Sequence, residues 1–353
     1  MNKMLKNKKV IIIVAVVAIV IAGGSYLLIM EGASKETQKV KIYTNPLITP
    51  VVKIADNQNF DRKFGIEFNH KEVGFGTDTK LFLSKGKIGF IAPWEVAGFR
   101  SEGEEITIVS TAGGSTFMEG LAVKAEDYPN PYSSPNDLVG KTITHVGWGT
   151  GNTRALQVFL RLLYDLKLRQ DFKTQTASPG VIPSLIKQGK TEAGSLFIPQ
   201  MLPAMVDPEL KPLFMFSRVW KEETGEPFYI TNLVAKTDYL RENPSQVKNI
   251  SSALDEASKW IAEHPEEFSQ KGEYSALSKN TGWLKNEQTW KANKSMLKKG
   301  KWYVGSGEYD QKYIDKTWKF IEAARKAGII VKAEVNKNLT FRKPGKWPGI
   351  PGE

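Results

Sequence analysis

Short runs of apolar residues alternate with amphipathic stretches along most of the chain. Thr153–Leu168 and Pro244–His264 carry apolar residues at helical spacing, and the second stretch has Asn243 as a plausible cap and stops before Pro265. Four apolar runs predict strands by their length and composition. They are Val40–Tyr43, Ile88–Ile91, Ile106–Val109 and Leu121–Val123. Strands that alternate with helices predict an α/β fold.

One pattern occurs twice: a helix, a Gly-Lys turn and an apolar strand that ends at proline. The copies are Leu81–Pro93 and Leu185–Pro199. So short a match also arises by chance. If the copies are related, two lobes share one α/β plan, and the cleft between them is the natural ligand site.

The N-terminal segment has a different pattern, with twenty uncharged and mostly aliphatic residues from Val10 to Ile29. As a helix it would reach about 30 Å, the thickness of a bilayer's hydrocarbon core. We predict a transmembrane anchor over residues 10–30. A secretory signal cleaved near Gly32-Ala33-Ser34 is the alternative.

Four lysines precede this segment, at positions 3, 6, 8 and 9. They predict a cytoplasmic stub over residues 1–9 and place the remainder outside the cytoplasm. Residues 31–39 have no apolar side chain larger than alanine and are predicted to be a tether.

Composition and charge exclude several classes of function and site. The chain carries a net charge of +11, but without the four lysines 45 basic residues stand against 38 acidic ones. The basic residues that remain are scattered, so nucleic-acid binding is not expected. Cysteine is absent and the three histidines lie far apart, which predicts no disulfide, no thiol nucleophile and no metal site.

Two glycine-rich turns precede predicted helices and are the main candidate sites. Gly147–Asn152 follows a strand-like run, and its backbone N–H groups favour an anion or another polar ligand at the helix start. A purely structural turn is the alternative. Gly74–Asp78 has the same arrangement ahead of the next helix, and two such turns are able to face one cleft.

No motif for covalent or nucleotide chemistry is complete. The Gly-Lys-Thr runs at residues 140–142 and 189–191 lack the upstream glycine of a phosphate loop, since Pro135 and Ser184 stand there. The sequence also has no GxSxG motif. Trp94 and Trp148, both at turns, are candidates for a ligand wall or for ordinary packing.

The chain resembles the solute-binding family for nitrate, sulfonates, taurine and thiamine-pyrimidine precursors. Four segments carry the resemblance. They are Gly74–Phe90 (GFGTDTKLFLSKGKIGF), Leu138–Thr153 (LVGKTITHVGWGTGNT), Phe197–Leu202 (FIPQML) and a tail that begins at Tyr239 (YLRENPSQVK). The resemblance implies a two-lobed periplasmic-binding-protein-like clamp of type II, here preceded by one N-terminal transmembrane helix.

By that resemblance, residues 40–125 and 231–353 form lobe one and residues 126–230 form lobe two. The chain would pass between the lobes near Val123–Asp127 and Asn232–Lys236. The resemblance and the turns together give the predicted ligand-binding residues. They are Asn45, Pro46, Gly76, Thr77, Asp78, Pro93, Trp94, Ser115, Thr116, Trp148, Gly151, Asn152, Thr153, Arg154, Pro199 and Gln200.

The ligand stays open between two kinds. Arg154 beside the helix start favours a sulfonate, nitrate or carboxylate, whereas Trp94 and Trp148 suit stacking on a heteroaromatic ring. Asn152 stands where the family usually has serine, and Ile198 replaces an acidic residue.

The predicted function is that of an extracytoplasmic, membrane-anchored substrate-binding component of an ABC importer, which works with permease and ATPase subunits and needs no cofactor. A binder of a thiamine-pyrimidine precursor is the alternative. An enzyme of pyrimidine-precursor synthesis is disfavoured, because such relatives use a cysteine-rich segment that this chain lacks. A receptor's sensing domain is a third possibility, but it would need a separate signalling partner.

Overall fold

Two five-stranded β-sheets organise the part of the chain that the computed structural model describes, which is residues 37–349 apart from 75, 117, 149, 285, 301, 330–332 and 334. The strands are β1 (Gln38–Thr44), β2 (Ile66–Glu72), β3 (Ile88–Ile91), β4 (Ile106–Ser110), β5 (Gly114–Ser115), β6 (Gly120–Lys124), β7 (Thr142–His145), β8 (Lys173–Thr176), β9 (Ala193–Leu196), β10 (Leu210–Met215), β11 (Asn232–Lys236) and β12 (Tyr303–Val304). The short strands β5 and β12 pair with each other.

Helices separate most of the strands. They are α1 (Thr49–Asn57), α2 (Phe60–Lys63), α3 (Thr77–Lys85), α4 (Pro93–Ser101), α5 (Gly151–Tyr164), α6 (Ile182–Lys187), α7 (Ile198–Ala204), α8 (Phe216–Thr224), α9 (Thr237–Glu242), α10 (Pro244–Glu263), α11 (Ser275–Thr281), α12 (Glu287–Lys298), α13 (Gln311–Lys326) and α14 (Lys337–Thr340). The predicted α/β class is confirmed. Helix α5 ends four residues earlier than predicted, because Asp165 takes a left-handed φ of 55°.

The two sheets share one plan. The strand order is β2-β1-β3-β11-β4 in the first sheet and β8-β7-β9-β6-β10 in the second. Strand β3 is parallel to β1, and β9 is parallel to β7, so the two strands of the repeated sequence pattern occupy the same third position. In each sheet the fourth strand is antiparallel to its neighbours.

These fourth strands show where the chain passes between the sheets. Strand β6 follows β4 along the chain but pairs in the second sheet, so the first connection lies before Gly120, earlier than the predicted passage at residues 123–127. Strand β11 pairs in the first sheet, which places the return before Asn232. The lobe ranges as a whole stay a prediction.

The connections lie side by side. Thr116 forms an isolated antiparallel bridge with Tyr229, and the N–H of Ile230 donates to the carbonyl of Ser115 over 2.8 Å. The backbones approach so closely that a Cβ atom at Gly114 would lie 2.3 Å from the carbonyl oxygen of Thr231. The two connections between the sheets are therefore held together by backbone hydrogen bonds.

Burial follows the predicted pattern. Strand β3 is buried along its whole length, as a central strand covered by helices on both faces is expected to be. Strand β4 is also buried throughout although it is the edge strand of the first sheet, and Ile108 within it forms an isolated parallel bridge with Phe341. Helix α10 packs Ile250, Leu254 and Ala257 into the core of the first sheet. Residues 39–353 form one compact unit.

The predicted stub, anchor and most of the tether, residues 1–36, lie outside the described residues. Within the described ranges, no helix is long and apolar enough to cross a membrane.

Candidate functional site

A cavity of about 530 Å³ lies between the two sheets. Its walls come from the carboxyl ends of β1 and β3 in the first sheet and of β7, β8 and β9 in the second, where ligands of open α/β sheets usually bind. The lining residues are Asn45, Leu47, Gly76, Asp78, Thr79, Phe90, Ala92, Trp94, Glu95, Glu119, Thr150, Gly151, Asn152, Pro179, Phe197, Ile198, Pro199, Gln200, Ile230, Thr231 and Thr281.

The two walls meet at two places beside the cavity. A Cβ atom at Gly151 would lie 3.3 Å from Oε1 of Glu95, which belongs to the opposite wall. A Cβ atom at Gly282 would lie 3.3 Å from Cα of Pro199. The two walls therefore approach each other closely at these two places.

Asp78 lies in the first turn of α3, whose start is set by Gly76 with a left-handed φ of 77°. Nδ2 of Asn45 donates to Oδ2 of Asp78 over 2.7 Å, and Oδ1 of Asn45 accepts the N–H of Leu47. Burial raises the pKa of Asp78 above its usual value, although hydrogen bonds from Asn45 and from backbone N–H groups at the start of α3 offset part of the effect. Asn45 thus holds one oxygen of this carboxylate in place.

Glu95 lies in the first turn of α4, after Pro93 at the first helical position. Burial raises the pKa of Glu95 to about 7, the positive charge of Arg154 opposes the rise, and the negative charge of Asp78 adds to it. The side chain therefore titrates near neutral pH.

Glu119 precedes β6 and has only 3% of its surface exposed. Nδ2 of Asn152 donates to Oε2 of Glu119 over 2.5 Å, and the hydroxyl of Ser195 donates to Oδ1 of Asn152. Burial raises the pKa of Glu119 to about 8, the hydrogen bonds from Asn152 and from the N–H of Ile198 oppose this, and the charge of Glu95 adds to it.

Eight of the predicted ligand-binding residues line this cavity. They are Asn45, Gly76, Asp78, Trp94, Gly151, Asn152, Pro199 and Gln200. The two glycine-rich turns thus face the same cavity from opposite walls, although Phe75 and Gly149 within them lie outside the described residues. Trp94 has only 1% of its surface exposed and stacks on Phe228, so packing is a large part of its role.

The other eight predicted residues do not line the cavity. They are Pro46, Thr77, Pro93, Ser115, Thr116, Trp148, Thr153 and Arg154. Trp148 instead lies edge-on to His145 and beneath the guanidinium of Arg169, 3.8 Å from the ring centre. Thr153 donates its backbone N–H to Thr150, the cap of α5, and Ser115 lies where the two connections pair.

The sequence did not single out Glu95 or Glu119. Neither belongs to a motif, and their burial depends on contacts with residues that are distant in sequence. The position of Glu95 next to Trp94, after a strand that ends in proline, was the one available signal. Phe197, an aromatic residue at a turn before Pro199, was a candidate for a ligand wall with ordinary packing favoured, and only the resemblance pointed to Ile198.

Of the described residues that line the cavity, none is a lysine, an arginine or a histidine. Within the described ranges, the cavity included, no three histidine or carboxylate side chains come together in a group able to hold a metal ion.

The family model described as NMT1/THI5 like matches residues 45–268. No curated protein matches the chain by sequence.

Solved structures share the fold at low sequence identity. The periplasmic aliphatic sulphonate binding protein SsuA from Escherichia coli has a TM-score of 0.64 and 13% identity, over 84% of this chain and 95% of that one. The alkanesulfonate-binding protein SsuA from Xanthomonas axonopodis, bound to MOPS, has a TM-score of 0.52 and 13% identity, over 74% and 84%. The periplasmic nitrate-binding protein NrtA from Synechocystis has a TM-score of 0.55 and 15% identity, over 87% and 86%. The predicted two-lobed periplasmic-binding-protein fold is confirmed.

Proposed function

The chain belongs to the NMT1/THI5-like family, and from this premise we propose that it is the extracytoplasmic substrate-binding component of an ABC importer for a small solute. By family and fold it is a solute-binding protein and not an enzyme. The proposed partners are a permease and an ATPase subunit of the importer.

One observation carries the proposal: the cavity of about 530 Å³ between the two sheets. This volume is typical of small-molecule sites, and the walls combine apolar side chains with a few converging polar groups. Because each wall belongs to a different sheet, a bound solute would hold the two lobes together, and an importer is able to distinguish that closed state from the open one.

Two kinds of ligand remain within the proposal. The fold neighbours that bind sulfonates and nitrate support a small anion of the sulfonate, taurine or nitrate kind. The aromatic and aliphatic lining, which includes Phe90, Phe197 and Ile230, supports a heteroaromatic solute such as a thiamine-pyrimidine precursor.

Ligand binding without conversion is the first expected result. We expect one member of a panel of sulfonates, taurine, nitrate, aminopyrimidines and small organic amines to raise the melting temperature of the purified full chain. A ligand at 100 times its Kd stabilises the native state by about 2.7 kcal/mol. Mass spectrometry of the incubated ligand should recover it unchanged.

If no compound of the panel raised the melting temperature, the result would contradict the binding function. Chemical conversion of a ligand would contradict the conclusion that the protein is not an enzyme. Lysozyme incubated with the same panel controls for non-specific effects of each compound.

We also propose that residues 10–30 anchor the protein with its N-terminus in the cytoplasm, which would keep the folded part close to the permease. The expected result is an intact N-terminus in protein extracted from membranes, measured by mass spectrometry. A mature chain that starts near Ala33 would instead show that the segment is a cleaved signal.

A further inference from the structure

Acidic side chains are concentrated on the walls of the cavity. Asp78 and Glu95 come from one wall and Glu119 from the start of β6, and no basic side chain lines the cavity among the described residues. The positive charge of Arg154 lowers the pKa of Glu95, but Arg154 is not part of the lining. Three acidic side chains in a lining with no described basic residue favour a positive ligand.

The starts of the helices do not offer a free anion site either. Asp78 and Glu95 occupy the first turns of α3 and α4, where a carboxylate interacts favourably with the helix dipole. Glu95 also lies beside Gly151 at the start of α5. At all three helix starts, therefore, a carboxylate of the chain stands close to where a bound anion would lie.

A second observation concerns hydrogen bonding. Asp78 has 5% of its surface exposed, its Oδ2 accepts from Asn45, and its Oδ1 has no hydrogen-bond partner among the described residues. Oε1 of Gln200, on the opposite wall, is also buried without a partner in the same ranges. Unsatisfied buried acceptors are costly, and a ligand with N–H groups would satisfy them.

The hydrogen bonds around Glu119 also favour a ligand that donates N–H groups. The carbonyl oxygen of Asn152 accepts from Ser195, and its NH₂ group donates both to Glu119 and to the carbonyl of Leu196. This arrangement fixes the orientation of the amide and presents Glu119 as an acceptor. Asn152, which was predicted to bind the ligand, is therefore a positioning residue for Glu119.

We infer that the solute is an organic cation, with an ammonium, amidinium or guanidinium group on a compact apolar body, held by Asp78, Glu95 and Glu119. The inference rests on the proposed binding function and specifies its ligand. The apolar body would pack against Phe90, Phe197 and Ile230. A cation also favours the ionised form of carboxylates that burial otherwise keeps partly protonated, whereas a sulfonate or nitrate would disfavour that form.

Probes matched in size and opposite in charge test this inference. Benzamidine and benzylamine are compared with benzoate and benzenesulfonate on the full chain at about pH 8, where ionisation of Glu95 and Glu119 favours a cation. We expect the two cations to raise the melting temperature and to give measurable affinity by calorimetry, and the two anions to have no effect.

Isosteric variants test whether Glu119 and Asp78 contact the bound cation. Glu119→Gln and Asp78→Asn should each weaken benzamidine binding by about tenfold or more, since each removes a charge-assisted hydrogen bond. Glu242→Gln is the matched control, because it removes the same charge from an exposed position of α9. Its affinity should equal that of the unaltered chain.

The outcomes separate the inference from the function on which it rests. Stabilisation by the anions alone overturns the cationic ligand and leaves the binding function in place. Binding of benzamidine that neither variant weakens overturns the assignment to this cavity. If neither these probes nor the wider panel raises the melting temperature or binds measurably, the binding function itself is contradicted.

Discussion

Replacing Trp94 by alanine is expected to lower the free energy of unfolding by about 3–5 kcal/mol, the usual effect of removing a large buried aromatic side chain. The ring has 1% of its surface exposed, lies parallel to Phe228 at 5.5 Å between centroids and contacts Phe320 of α13 at 5.6 Å. Both partners also contact Phe159 of α5, so the substitution would open a cavity where three parts of the chain meet. Urea denaturation followed by circular dichroism measures the loss.

Trp148→Ala is the matched control. This ring was an equal candidate in the sequence, but it is only partly buried and contacts His145 and Arg169 near the surface of its lobe. Its loss should destabilise the chain by about 1 kcal/mol. Equal effects of the two substitutions would show that Trp94 does not have the packing role that its contacts indicate.

The contrast between these tryptophans shows what the sequence was able to predict. A turn at the end of a strand indicates that a residue lies near the edge of a sheet, where ligands bind, and both tryptophans satisfy that rule. It does not indicate which way the ring points. That direction depends on Arg169 for one ring and on Phe228 and Phe320 for the other, and these partners are distant in sequence.

The fold was easier to predict from the sequence than the site, because the fold depends on local and repeated sequence patterns. The repeated helix, turn and strand predicted that two lobes share one plan, and β3 and β9 occupy the same position in their sheets. The positions where the chain passes between the lobes were harder to predict. A strand such as β6 has the same apolar composition whichever sheet it joins. Its assignment follows from pairing with β9 and β10.

The charge of the cavity was not visible in the sequence at all. Arg154 follows the start of α5 and led to the expectation of an anionic ligand, but the cavity lining includes three carboxylates and not this arginine. Glu119 was one acidic residue among 38. Its importance comes from burial and from the hydrogen bond with Asn152, both of which require the folded chain.

Glu119→Gln is expected to stabilise the ligand-free protein at about pH 8 by about 2–4 kcal/mol, although it weakens ligand binding. Burial raises the pKa of Glu119 from 4.5 to about 8, and the groups that face it are Asn152, the N–H of Ile198 and Glu95. Between these two pH values the native state binds more protons than the unfolded state, so the free energy of unfolding falls as the pH rises. The amide does not ionise and removes this contribution.

Urea denaturation between about pH 5 and pH 8 tests the prediction, because the difference between variant and parent should grow with pH across the window in which Glu119 titrates. Glu242→Gln should give a curve parallel to that of the parent, since its carboxylate is exposed. A constant difference between Glu119→Gln and the parent would mean that this carboxylate is ionised throughout. A gain in stability that comes with a loss of affinity is the expected signature of a buried charge retained for its ligand.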